Sequence, residues 1–251
     1  MSESHRLDVR RFIAQMDRCF AWNDLDAAAA CLKSWEAEAR ALSDARGLLA
    51  VRNEALGFYR RTGEKDAALA AVDECLALVE RLRLTGSPSG ATVLVNAATT
   101  RAFFGLEAEA LPLYDRAAEC FAANGKTDAY EYAALLNNRA GALYGLRRYG
   151  EAEADWRRAV AIMKALGGRG AEAAVSLVML AHLTFDRDDT AFDRVEALLD
   201  EAWAQINAPD QPRDANYAYA LQKCAPSFDY FQRPEAAEAL REVAAEIYEG
   251  S

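Results

Sequence analysis

Small and apolar residues return along this chain at helical spacing, and the helical stretches come in pairs. In Leu135–Leu166, LLNNRAGALYGLRRYGEAEADWRRAVAIMKAL, the residues Leu136, Ala140 and Leu143 step by four and three and share one helical face. Ala152, Trp156 and Ala159 repeat the step in the second half. Gly145–Gly150, with two glycines and basic residues, predicts the turn between two antiparallel helices. Ala140 and Ala152 are small enough for the two backbones to approach closely. Tyr149 and Trp156 are large enough to fill the space beside them.

The pattern recurs upstream and downstream. In Asn96–Phe121, Ala98 and Ala110 form the same small pair, with Tyr114 and Ala117 following at +4 and +7. In Gly57–Leu78, Ala68 takes that place, followed by Val72 and Cys75. Ala28 is in register at the front and Val195 downstream. The anchors Ala68, Ala110 and Ala152 are each 42 residues apart, with Ala28 and Val195 at 40 and 43 from their neighbours. A period of this length marks a helical solenoid, in which a hairpin buries its apolar face only by stacking on the next.

The expected architecture is therefore all-α: one array of about six hairpins near 7–42, 44–84, 91–123, 128–166, 171–206 and 215–248. Asn23-Asp24 and Ser43-Asp44 are predicted to punctuate and cap the first helices. Thr85–Gly90 (TGSPSG), Asn124–Asp128, Gly167–Gly170 (GGRG) and Asn207–Asp214 (NAPDQPRD) read as breaks between hairpins. In the last hairpin Cys224 and Ala236 keep the small pair, with Leu240 and Val243 after them, and Pro226 is expected to kink the first helix.

Small–x11–small with an aromatic and alanine at +4 and +7 resembles the tetratricopeptide repeat. The 42-residue spacing, together with LLNNRAGALY, YGEAEADWRRAVAI and EALPLYDRAA (Glu109–Ala118, with Pro112 near the start of its helix), is similar to the long repeats of kinesin light chains and related bacterial proteins. Tyr149, three before its anchor, adds to the match, whereas Glu107 and Lys65 depart from it. Asn53–Leu166 carries the resemblance. It implies a right-handed α–α superhelix whose first helices line a concave surface, and an activity only at the level of a class.

Composition narrows the class. Asp plus Glu number 39 against 29 Lys plus Arg, a net charge of −10. That argues against nucleic acid and anionic membranes, both of which favour cationic surfaces. Cys19, Cys31, Cys75, Cys120 and Cys224 contain no CxxC and read as reduced, packed thiols. The polar start, MSESHRLDVRRF, lacks an apolar signal core, and no apolar run approaches the ~18 residues of a bilayer span. A cytoplasmic protein is expected.

Catalytic chemistry finds little support. His5 and His182 have no second ligand or base at a recognisable spacing, and Ser176 sits too far round the helix from His182 to form a nucleophile–base pair. TGSPSG lacks the Lys-Ser/Thr ending of a phosphate loop. Asp186–Asp189 (DRDD) opens like a calcium loop, but Ala191 and Ala197 stand where its glycine and final glutamate belong. No enzyme activity, cofactor or metal is expected.

The informative polar residues lie on the first helices. Asn53, Asn96 and Asn138 fall 14 or 15 before their anchors, with Asn137 the strict counterpart of Asn53. Asparagine is a middling helix former, so its recurrence in mid-helix asks for a reason. Its amide offers a donor and an acceptor, matching an extended peptide backbone, and related proteins use such asparagines that way. The alternative is that these side chains tie one repeat to the next. Arg60, Arg61, Thr99, Tyr144, His182, Gln222 and Lys223 are candidate neighbours on the same strip. Acids such as Asp73, Glu74, Glu107, Glu109, Glu151, Glu153, Asp155, Glu196, Asp200 and Glu201 fall on second helices, hence on the expected convex side. The expected function is a non-catalytic scaffold that holds a protein or peptide segment. A bacterial peptide sensor acting on a separate effector, and a module that associates with its own copies, are the alternatives.

Overall fold

The computed structural model describes residues 6–22 and 24–249; His5 and Asn23 lie outside them. Among the described residues there are twelve α-helices and no strand. They are α1 (Val9–Ala21), α2 (Leu25–Ala41), α3 (Ala45–Thr62), α4 (Lys65–Arg81), α5 (Pro88–Phe103), α6 (Glu107–Ala123), α7 (Tyr130–Gly145), α8 (Tyr149–Leu166), α9 (Gly170–Arg187), α10 (Phe192–Ile206), α11 (Ala215–Tyr230) and α12 (Pro234–Glu249). Two compact units divide the chain, Met1–Lys126 and Thr127–Ser251, each holding three hairpins.

Each hairpin closes on the predicted small-residue crossing. Ala28, Ala68, Ala110 and Ala152 are completely buried and Val195 nearly so. The residues twelve earlier, Met16, Leu56, Ala98, Ala140 and Leu183, are buried with them. Beside the Ala140–Ala152 pair, Trp156 fills the interior with the Tyr144 ring 5.7 Å away. The last hairpin differs by one residue from the sequence expectation. Ala237, not Ala236, is the buried anchor, opposite Ala225, and Ala244 rather than Val243 follows it. Two small residues stand in tandem on each helix there, so spacing alone does not choose between them. With Ala237 as anchor the step from Val195 is again 42.

Helix ends follow from local chemistry. Asp8, Asp24, Asp44, Ser87 and Asp214 accept hydrogen bonds from backbone N–H groups of the first turns they precede. Asp44 also accepts from Leu7 N at 3.0 Å, which ties the start of the first hairpin to the second. The TGSPSG stretch is only partly a loop: Ser87 caps α5, Pro88 takes its first position, and Gly90 lies in its first turn. A Cβ on Gly90 would stand 2.0 Å from the Leu84 carbonyl oxygen, so this glycine sets how closely one hairpin follows the last. In the α7–α8 turn the left-handed residue is Arg147, at φ 59°, rather than either glycine. Helix α11 runs on through Pro226, and α9 extends through Asp186 to Arg187, so half of the DRDD stretch is helical.

Within the first unit, the first helices of successive hairpins touch: α3 packs on both α1 and α5. In the second unit α9 and α11 do the same. Within each unit the first helices thus lie on one side and the second helices on the other. Several of the second-helix acids are paired: Glu74 with Arg40 and Arg52, Glu80 with Arg116, Glu153 with Arg157 and Arg187, and Glu201 with Lys164. Asp155 corrects the sequence reading. It is buried, and Arg139 grips both its oxygens at 2.7 and 2.8 Å, clasping α7 to α8.

Leucine at Ala140 or Ala152 should overpack the α7–α8 crossing and cost ~1–3 kcal/mol. Thermal unfolding of the two single variants checks this; midpoints equal to wild type for both would refute the crossing.

Candidate functional site

In the first unit, the first-helix layer carries a chain of polar side chains that passes from repeat to repeat. Asn96 on α5 donates from Nδ2 to Asn53 Oδ1 on α3 at 3.0 Å, and Asn53 in turn hydrogen-bonds Glu54. Glu54 is largely buried with Asp17 nearby. Desolvation first, and the Asp17 charge second, hold its carboxyl above the ordinary 4.5. One helical turn along α5, Thr100 Oγ1 donates to the Asn96 carbonyl at 2.8 Å and accepts from Arg60 at 2.7 Å. Thr99 and the buried Tyr114 hydroxyl are 3.0 Å apart, and burial pushes that phenol up to about 12. Arg61 lies over the Phe20 ring at 5.3 Å.

In the second unit the layer is built alike but is richer in rings. Ser176 Oγ donates to Asn137 Oδ1 at 2.8 Å, joining α9 to α7. Asn138, half-buried beside it, is also engaged within the protein. The Tyr144 hydroxyl donates to Asp186 Oδ2, and burial followed by this bond raises the phenol above its ordinary value. His182 Nε2 and Ser227 Oγ are 3.1 Å apart, linking α9 to α11. Burial lowers the imidazole, with Asp186 opposing, so His182 is mainly neutral at pH 7. The imidazole is ringed by Tyr230 and Phe231, at centroid distances of 5.0 and 4.8 Å, and Phe185 stands edge-on to both at 6.1 and 5.9 Å. Lys223 lies over Tyr219 at 5.3 Å, and Gln222 is exposed.

The structure therefore brings Asn53, Arg60, Asn96 and Thr99 onto one strip, and Asn137, Asn138, Tyr144 and His182 onto another. Lys223 makes its contact with Tyr219 rather than with these residues. Sequence reasoning missed Glu54 and Thr100 in the first unit, and Phe185, Ser227, Tyr230 and Phe231 in the second; it reads Tyr114 only as the repeat's aromatic and Asp186 only as part of an acidic turn. The signal for the polar ones was the period itself. Asn53–Asn96, Arg60–Thr100, Tyr144–Asp186 and His182–Ser227 are 43, 40, 42 and 45 residues apart, one repeat each.

Among the described residues, no group of three or more His, Cys, Asp or Glu side chains is arranged to hold a metal, and no helix is long and apolar enough to cross a membrane. The five thiols are free, and burial pushes Cys75 and Cys224 up to about 12.

BtubC (BKLC) from P. vanneervenii superposes over 97% of this chain and 92% of its own, with a TM-score of 0.57 and 18% identity. The fold is that of tetratricopeptide-like helical repeats. A kinesin light chain-type protein of Podosopora anserina with nearly identical TPR-like repeats superposes over 79% of this chain and 94% of its own, at a TM-score of 0.57 and 18% identity. A Rap protein complexed with Competence and Sporulation Factor covers 95% of this chain and 74% of its own, at 0.54 and 17%. No protein-family model and no curated protein matches the chain by sequence. Within the tetratricopeptide-like frame, the strips described above are side chains of the first-helix layer.

Replacing Glu54 by Gln should raise the thermal midpoint at pH 7. A carboxyl raised by folding adds stability below its unfolded value and loses it as pH rises through the folded one. The advantage of Glu54→Gln should therefore vanish as the pH falls below about 4.5; melting curves at both pH values check this, and an advantage that persists in acid would contradict it.

Proposed function

We propose that the first-helix layer holds an extended protein or peptide segment and that the chain is a non-catalytic scaffold. One observation carries this reading. The mid-helix amides are half-exposed and only partly used by their neighbours. Asn96 spends one N–H on Asn53 and, among the described residues, keeps its amide oxygen and second N–H. Asn137 spends its oxygen on Ser176 and keeps both N–H donors. A remaining acceptor and remaining donors on a helical face are what the alternating C=O and N–H groups of an extended backbone require. The lateral bonds hold each amide in a fixed orientation, which lowers the ordering cost on binding. Repeat stabilisation and ligand contact are thus served by the same side chains. The Rap protein of similar fold is complexed with a factor of its own, a precedent in kind for such use.

The test is fluorescence anisotropy with pools of short labelled peptides and with the same pools N-methylated on alternate amides. The unmodified pools should bind and the N-methylated pools should not, because methylation removes the backbone donors. Asn96→Ala should weaken binding by ~0.5–1.5 kcal/mol, the net value of one hydrogen bond. Equal binding of both kinds of pool, or of neither, would overturn the reading.

A further inference from the structure

The ring cluster of the second unit has a chemistry that the amide strips lack. Tyr230 and Phe192 are more than half exposed, while Phe185, Phe231 and His182 are partly so. Tyr230 and Phe231 meet at 90°, and Phe185 meets Tyr230 at 82°, so the rings form corners rather than a stack. Tyr230 is 55% exposed despite these edge contacts, and an aromatic face attracts a cation held within ~6 Å of its centre. Asp186 adjoins this cluster: it is exposed, it sits beside His182, and it accepts from the Tyr144 hydroxyl, which in turn faces Tyr230. One hydrogen bond leaves most of a carboxylate's acceptor capacity unused.

The surrounding charge is mainly acidic. Asp188, Asp189 and Asp193 follow Asp186 in the chain. Of the cations on these helices, Arg187 pairs with Glu153 at 3.0 Å, Arg233 with Glu196 and with Asp200 at 2.7 Å, and Arg241 with Asp229, while Arg194 stands near Asp188. Among the described residues, no lysine or arginine is within ion-pair distance of Asp186. The imidazole at the centre is mainly neutral at pH 7 and does not repel a cation. A second copy of this chain, with the same net charge of −10, is a poor complement to such a surface.

We infer that this cluster is a specificity pocket for a basic side chain: the guanidinium or ammonium group of a bound peptide rests against Tyr230 and pairs with Asp186. The inference rests on the peptide-binding reading above and adds the chemical class of the segment. The relevant probes are three pools of short labelled peptides that differ only at the central residue, which is arginine, its neutral isostere citrulline, or glutamate. Wild type should bind the arginine pool about tenfold more tightly than the citrulline pool. Asp186→Asn and Tyr230→Leu should each bring that ratio toward one; Asp186→Asn keeps an oxygen that accepts from the Tyr144 hydroxyl, so its loss of preference is read on a retained fold. Asp186→Lys should move the preference to the glutamate pool. A wild-type ratio near one, or a ratio unaffected by all three substitutions, overturns this inference while leaving peptide binding intact. Failure to bind any pool overturns the peptide-binding reading and this inference with it.

Discussion

Close approach of two helix backbones at a small residue is the constraint on which this molecule depends. An alanine at the crossing lets the paired helices interdigitate, and the larger neighbours, Tyr114 and Trp156, then fill the flanking space. A hairpin so closed still leaves one face apolar, so the next hairpin must cover it. The recurrence of Ala28, Ala68, Ala110, Ala152, Val195 and Ala237 is this one requirement met six times. The packing of α3 on α1 and α5 in the first unit, and of α9 on α11 with the Asn137–Ser176 bond from α7 in the second, follows from it and sets out the first helices that carry the candidate residues.

The first-helix layer uses polar side chains as well as apolar ones to set its spacing. Bonds such as Asn96–Asn53 and Tyr144–Asp186 each link a residue to its counterpart one repeat on. Each contributes only ~0.5–1.5 kcal/mol net, so their value lies as much in orientation as in stability. An amide held by one edge presents the other edge in a defined direction. The two units then diverge. The first surrounds its amides with Glu54, Arg60, Thr99 and Thr100, whereas the second gathers rings around His182 and one exposed carboxylate against Tyr144.

Element type and pairing were legible in the sequence because the apolar spacing and the small-residue anchors act locally along each helix. Boundaries shifted where caps competed with loop composition. Ser87 and Pro88 begin a helix inside a stretch rich in turn residues, and Arg147 adopts the left-handed conformation although Gly145 and Gly150 stand two before and three after it. The register of the last hairpin escaped because Cys224-Ala225 and Ala236-Ala237 offer two equivalent small pairs. The candidate site was half legible. Mid-helix asparagines are conspicuous, but Asp186, Ser227 and Tyr230 gain meaning only when neighbouring repeats are aligned. Asp155 is expected on the convex side with the other second-helix acids and is instead clasped by Arg139, since helical position alone does not reveal a partner on the facing helix.

The central claim is that first helices form a pre-organised inner face for a ligand while second helices only support them. Hydrogen exchange followed by mass spectrometry, with and without a saturating peptide pool, tests it most directly. Added protection is predicted on α3 and α5 or on α7, α9 and α11, with α2, α4, α8 and α10 unchanged. Protection concentrated on those second helices would contradict it.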